Sequence, residues 1–265
     1  MFQLRRILFP VDFSIRCRGA AAYVETLAGR FDAELILLHV AEAAYNSALE
    51  DMHGTRPEDI EKFFDKSLKH LRVKTLVEHG EAAQKIVECA TVQQADLIMI
   101  PTKGMGVYRR LILGSTSAKV LHDADCPVWT GVHLENAPSL EMVACRRILC
   151  AVDLKPLSTC VLDWASHLAE EYQADLTLVH VTSSGSQQAC SDARRALERL
   201  QEAAGCKATL RVEVGDVSKI ITHLSGELKA DLLVIGRKPQ SGVLGRLDML
   251  AYSIIRQSPC PVVSR

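Results

Sequence analysis

Aromatic residues make up only 5% of this 265-residue chain. Platforms for single-stranded nucleic acid rely on successive aromatic faces, so they are not expected. Net charge is nearly absent too, at −1 with 31 Lys and Arg against 32 Asp and Glu. No global field exists to hold nucleic acid or an anionic membrane. Long apolar runs are missing. Residues 35–40 and 97–101 are the longest such stretches, far short of the roughly 20 residues that span a bilayer. Residues 1–8 lack a long apolar region and lead straight into a strand pattern, so they do not read as a signal peptide. Cysteine is plentiful at nine, yet no two stand in Cys-x-x-Cys spacing. The odd count and the large apolar fraction argue against a secreted disulfide framework, and the expected compartment is the cytoplasm. No local zinc spacing links the cysteines to the nine histidines.

What the chain does have is a near-repetition of itself. Ile7-Leu8-Phe9-Pro10-Val11-Asp12 returns as Ile148-Leu149-Cys150-Ala151-Val152-Asp153, and Leu38-His39-Val40 as Val179-His180-Val181. Asp12 and Asp153 stand 141 residues apart, as do His39 and His180. Gly80-Glu81 and Asp96-Leu97 recur 135 residues later, and Cys126-Pro127-Val128 recurs after 134. A period near half the chain means tandem duplication of a domain, not a solenoid, whose repeats are far shorter. The expected domains are 1–134 and 146–265, joined by 135–145.

Each half alternates short apolar runs with helical patterns. In the first, strands are expected at 6–11, 34–40, 75–78, 97–101 and 127–132, with helices at 16–31, 82–93 and 115–122 between them. Ile60, Phe64, Leu68 and Leu71 mark a further amphipathic helix, with Thr55-x-x-Glu58 ahead of it in capping-box form. The second half predicts strands at 147–152, 175–181, 209–214, 232–236 and 261–264, and helices at 157–172, 190–203, 218–228 and 250–256. Strands apolar on both faces and separated by helices imply a parallel sheet covered on both sides. The fold class is therefore α/β, with two tandem doubly wound domains, each a five-stranded parallel sheet.

In such sheets ligands bind beyond the carboxyl ends of the strands, where strand order reverses. That points to the turns after the first and fourth strands. Asp12 ends the first. Pro101-Thr102-Lys103-Gly104-Met105-Gly106 follows the fourth, and Gly114-Ser115-Thr116 opens the next helix. Glycine lets backbone approach an anion closely, and free amides at a helix start favour negative charge. Ser115 and Thr116 add hydroxyl donors and Lys103 a counter-charge. One by one, each has an ordinary explanation: Gly-Ser as an N-cap, Asp12 as a strand-end cap, His39 and His180 as satisfied core histidines.

Together they resemble the tandem-type universal stress proteins, along the whole chain. The resemblance rests on Ile7–Ser14, Leu38-His39-Val40, Asp96-Leu97-Ile98, Cys126-Pro127-Val128 and a phosphate signature of Gly, two residues, Gly, nine residues, Gly-Ser. Here Gly104 and Gly114-Ser115 keep that spacing, and Pro101 replaces the first glycine. Proline has no N–H and holds φ near −65°. The resemblance implies ATP or a related adenine nucleotide, with or without Mg²⁺. It implies that Asp12 faces the ribose or adenine edge, that the Val40 backbone meets adenine, and that Gly104, Gly114, Ser115 and Thr116 bind phosphates. Pro10 and Val11 would line the base pocket. It also implies that the halves pair as a pseudo-dimer, with further homodimerisation left open.

The second half departs from the pattern. Gly236 is present, but Pro239 replaces the second glycine, and either Met249-Leu250 or Asp248-Met249 stands where Gly-Ser belongs. A carboxylate about 4 Å from a phosphate charge costs on the order of 1–4 kcal/mol. The expectation is a nucleotide in the first half only, bound by a stress-response binding or signalling module. A slow ATPase or phosphoryl-transfer enzyme and a ligand-free structural protein are the alternatives. No catalytic set of Ser-His-Asp or paired carboxylates is placed by spacing, and no metal ligands are assigned.

Overall fold

The computed structural model describes residues 3–41, 56–64, 68, 70–101, 113–131, 143, 145–237 and 248–265. The chain divides into two compact units, Gln3–Val143 and Ala144–Arg265.

In the first unit the strands are β1 (Arg6–Pro10), β2 (Glu34–Ala41), β3 (Val73–His79), β4 (Leu97–Pro101) and β5 (Val128–Gly131). The helices are α1 (Ile15–Phe31), α2 (Pro57–Phe63), α3 (Ala82–Val92) and α4 (Ser115–Asp123). Strand order is β3-β2-β1-β4-β5, and every pairing is parallel. The apolar runs of β1, β2 and β4 form the core: Ile7, Leu8, Phe9, Leu35, Ile36, Leu97 and Ile98 are wholly buried. Each such side chain contributes about 1.5–3 kcal/mol by leaving water.

Caps set the helix limits. Ser14 Oγ accepts from Cys17 N at 3.2 Å to start α1, and Asp32 ends it in the left-handed region at φ 48°. α2 starts one residue later than the Thr55 pattern suggests. Arg56 is the N-cap residue and Pro57 follows at N1, where its missing N–H costs nothing. The Asp59 carboxylate reaches back to Arg56 N at 3.0 Å.

The second unit has β6 (Arg147–Ala151), β7 (Asp175–Thr182), β8 (Thr209–Val214), β9 (Leu232–Ile235) and β10 (Val262–Ser264). Its helices are α5 (Ser158–Tyr172), α6 (Gln187–Ala204), α7 (Val217–Glu227) and α8 (Met249–Gln257). The order β8-β7-β6-β9-β10 repeats that of the first unit. One clamp appears in both. Asp96 accepts from Arg5 N and Arg6 N at 2.7 and 2.9 Å, and Asp231 accepts from Arg146 N and Arg147 N, each at 2.9 Å. These carboxylates hold the start of one central strand beside the next, so the repeated Asp-Leu pairs are structural.

The units differ where strand order reverses. The β6–β9 ladder runs for four residues, to Ala151 opposite Ile235. The β1–β4 ladder pairs only Ile7 with Leu97 and Leu8 with Ile98. Pro10 and Pro101 end β1 and β4, and neither has an N–H to offer a ladder.

Candidate functional site

The carboxyl ends of β1 and β4 enclose the switch point of the first unit. Val11, buried, continues from β1 and donates its N–H to Leu38 O at 2.7 Å. Asp12 is exposed, and its Oδ1 accepts from Ser14 N at 3.0 Å. Phe13 between them lies at φ 56°, a left-handed conformation that is costly for a bulky residue. Its ring packs 4.9 Å from His39 and 5.3 Å from Phe63, and the Arg18 guanidinium lies 4.8 Å from the Phe63 ring. His39 Nδ1 is 2.8 Å from Val11 O. A carbonyl only accepts, so this nitrogen carries the proton and ties the end of β2 to the turn. Burial raises the Cys17 thiol far above its ordinary range, which removes it as a nucleophile at neutral pH.

Of the residues named from sequence, Pro10, Val11, Asp12, Val40, Pro101, Gly114, Ser115 and Thr116 all fall at or beyond the carboxyl ends of β1, β2 and β4 or at the start of α4. Lys103 and Gly104 lie outside the described residues, as does the Arg109-Arg110 pair. Gly114 is the N-cap residue of α4 at φ −59° and ψ 147°, and no side chain caps the helix from that position. Ordinary residues adopt these angles, so what glycine provides is the absence of a side chain at the amide end. Ser115 is exposed and Thr116 half-buried, while Ser117 is buried and its Oγ lies 3.4 Å from Pro101 O. The nearby Lys119 is paired with Glu81 at 2.8 Å.

The second unit carries the same turn with different chemistry. Asp153 Oδ1 accepts from Lys155 N and Ser158 Oγ, each at 3.0 Å, and Leu154 takes φ 59° where Phe13 does in the first unit. Burial pushes the Asp153 carboxyl up, but the bonds from Lys155 and Ser158 and the Lys155 charge outweigh it, so the net shift is downward. His180 Nδ1 lies 2.9 Å from Val152 O, repeating His39. Helices α4 and α8 start at Ser115 and Met249, which aligns Gly114 with Asp248 and resolves the two alignments left open by sequence. Asp248 Oδ1 accepts from Ala251 N at 2.7 Å. A carboxylate therefore sits on the free amides that Gly114 leaves open.

Sequence reasoning did not find the Phe13–His39–Phe63 stack. Phe13 reads there as one more apolar residue between a cap and a strand, and nothing local signals its positive φ.

The model of the universal stress protein family matches this chain twice, over residues 3–130 and 144–264. The chain belongs to the universal stress protein family. A universal stress protein of Synechocystis sp. is 31% identical over 134 residues, covering 48% of this chain and 85% of that protein. One from Thermus aquaticus is 31% identical over 142 residues, covering 47% of this chain and 96% of that protein. A solved universal stress protein from Archaeoglobus fulgidus matches 99% of this chain and 98% of its own, with a TM-score of 0.80 at 22% identity. That likeness concerns the fold, and it extends over both units of the present universal stress protein.

Among the described residues, no group of three or more His, Cys, Asp or Glu is arranged to hold a metal ion. No helix among them is long and apolar enough to cross a membrane.

Proposed function

We propose that the first unit is a binding module for an adenine nucleotide, ATP, ADP or AMP, held beyond the carboxyl ends of β1 and β4. Asp12 accepts from a ribose hydroxyl with the oxygen that Ser14 N leaves unused. Pro10, Val11 and the Val40 backbone meet the base. Lys103, Gly104, Gly114, Ser115 and Thr116 take the phosphates, at a helix start whose amides and dipole favour anions. Pro101 borders the phosphate loop and cannot donate to it. With Asp12 on the ribose, any Mg²⁺ arrives with the phosphates and keeps most of its ligands from them and from water.

The observation that carries this reading is the contrast at one position: Gly114 leaves the start of α4 without a capping side chain, whereas Asp248 closes the start of α8. The shorter β1–β4 ladder adds to it by leaving the strand ends of the first unit apart. Mass spectrometry of small molecules released on denaturing the purified protein tests the reading. An adenine nucleotide is expected, and Gly114→Asp is expected to lose it with the fold retained. Aspartate suits the angles at 114 and is a favoured N-cap, so loss of nucleotide in a folded variant reports on charge at the phosphate end. Wild type that carries and binds no nucleotide overturns the proposal.

A further inference from the structure

The second unit holds a cavity of about 690 Å³ at its own switch point. Its size lies within the range of small-molecule sites, roughly 300–1,000 Å³. The wall is mainly aliphatic, with Val161, Val181, Ile221, Ile235, Leu250 and Ile254 among its residues. Two carboxylates, Asp153 and Asp248, and two cations, Lys155 and Arg237, also line it, so their formal charges cancel. Asp153 and Lys155 are paired at 3.2 Å, and His180 is engaged by the Val152 carbonyl.

Three features separate this cavity from an anion site. Asp248 spends its carboxylate on the first amides of α8. Met249 and Leu250 stand where the first unit has Ser115 and Thr116, and they are 84% and 42% exposed. Apolar side chains left in water at the mouth of an apolar cavity gain by contact with an apolar ligand. The strand ends stay closely paired, so the cavity is walled by side chains and offers little free backbone to a polar ligand.

We propose that the second unit binds an uncharged, largely apolar small molecule in this cavity, a ligand class distinct from phosphate-bearing nucleotides. The bound molecule packs on Val161, Val181, Ile221 and Ile254 and meets Leu250 at the entrance. This claim is independent of nucleotide binding by the first unit, because it rests on different residues and a different ligand.

The test uses the full chain with isoleucine, leucine and valine methyls labelled for NMR. The probe is N-phenyl-1-naphthylamine, an uncharged hydrophobic fluorophore. Saturable shifts at the Ile221 and Ile254 methyls are expected, together with a rise in probe fluorescence. Excess ATP is expected to leave those methyls in place and not to displace the probe. Ala251→Phe, which fills the cavity from α8, is expected to weaken probe binding about tenfold or more, the equivalent of about 1.4 kcal/mol. Should that variant not fold, the wild-type methyl map decides alone. Probe shifts confined to the first unit, no shifts at all, or ATP shifting Ile221 and Ile254 in place of the probe would each overturn the proposal.

Discussion

Asp248 Oδ1 accepts a hydrogen bond from Ala251 N at 2.7 Å, at the helix start that Gly114 leaves uncapped in the other unit. A side-chain cap of this kind stabilises a helix by about 0.5–2 kcal/mol. It also places negative charge where a bound phosphate would need the same amides. One substitution thus strengthens the fold locally and closes an anion site. The two units of this universal stress protein have diverged along that line.

A second divergence concerns packing. A Cβ added to Gly236 would lie 3.2 Å from Val161 Cγ2. By the repeat offsets, the first unit has Pro101 in place of Gly236 and Ala20 in place of Val161, so a smaller helix residue accompanies the bulkier strand end. Gly236→Ala is therefore expected to destabilise the chain by about 1–3 kcal/mol. Gly236→Ala combined with Val161→Ala should cost less than the two single effects added. Ala20→Val in the first unit should destabilise and be relieved by Pro101→Gly. Urea unfolding of the six variants measures the coupling, and strict additivity would contradict the exchange of volumes.

The pH dependence of Asp153 has a definite sign. Its carboxyl is held below the ordinary aspartate value of 3.8. A depressed folded pKa contributes stability that is present in full above the unfolded value and lost as pH falls through the folded one. The stability gap between wild type and Asp153→Asn should hold steady near neutrality and narrow below about pH 4. A gap that widens on acidification would mean that the Lys155 and Ser158 contacts do not favour the ionised form.

Thiol chemistry should sort the nine cysteines. All are free among the described residues, and Cys160 is the exposed one. Burial pushes Cys89 and Cys260 up to about 11 and Cys145 up to about 12, and drives Cys17 and Cys150 higher still. The thiolate is the reactive form, so Cys160 should react with Ellman's reagent first and Cys17 and Cys150 only on unfolding. Peptide mapping after brief alkylation checks the order. Rapid labelling of Cys150 in the native protein would contradict the described core.

Turnover of ATP should be slow. Phosphoryl transfer needs a positioned nucleophile, a metal held by carboxylates and stabilisation of the departing charge. Asp12 is assigned to the ribose, and no metal-holding group of carboxylates occurs among the described residues. Phosphate release with Mg²⁺ is expected well below ~1 s⁻¹, the low end of typical enzymes. Release at or above that rate, abolished by Gly104→Val, would favour the enzymatic reading.

Much of this was legible in the sequence because the duplication let each half check the other. The β4 limits at Leu97 and Pro101 and the start of α4 at Ser115 follow from apolar runs bounded by glycine and proline. His39 and His180 read as core histidines, and each meets a backbone carbonyl. Other features depend on tertiary geometry. Arg56 caps α2 through the Asp59 carboxylate, although Thr55 has the better capping chemistry. The sequence left two alignments for the second phosphate loop, because that loop and its counterpart differ in length by one residue. Only the observed helix starts pair Gly114 with Asp248.

The most direct test of the central claim is calorimetric titration of the full chain with ATP, in wild type and in Gly114→Asp. About one site per chain is expected in wild type and none in the variant, with circular dichroism unchanged. Two sites of equal affinity, or a single site that survives Gly114→Asp, would contradict the assignment of the nucleotide to the first unit.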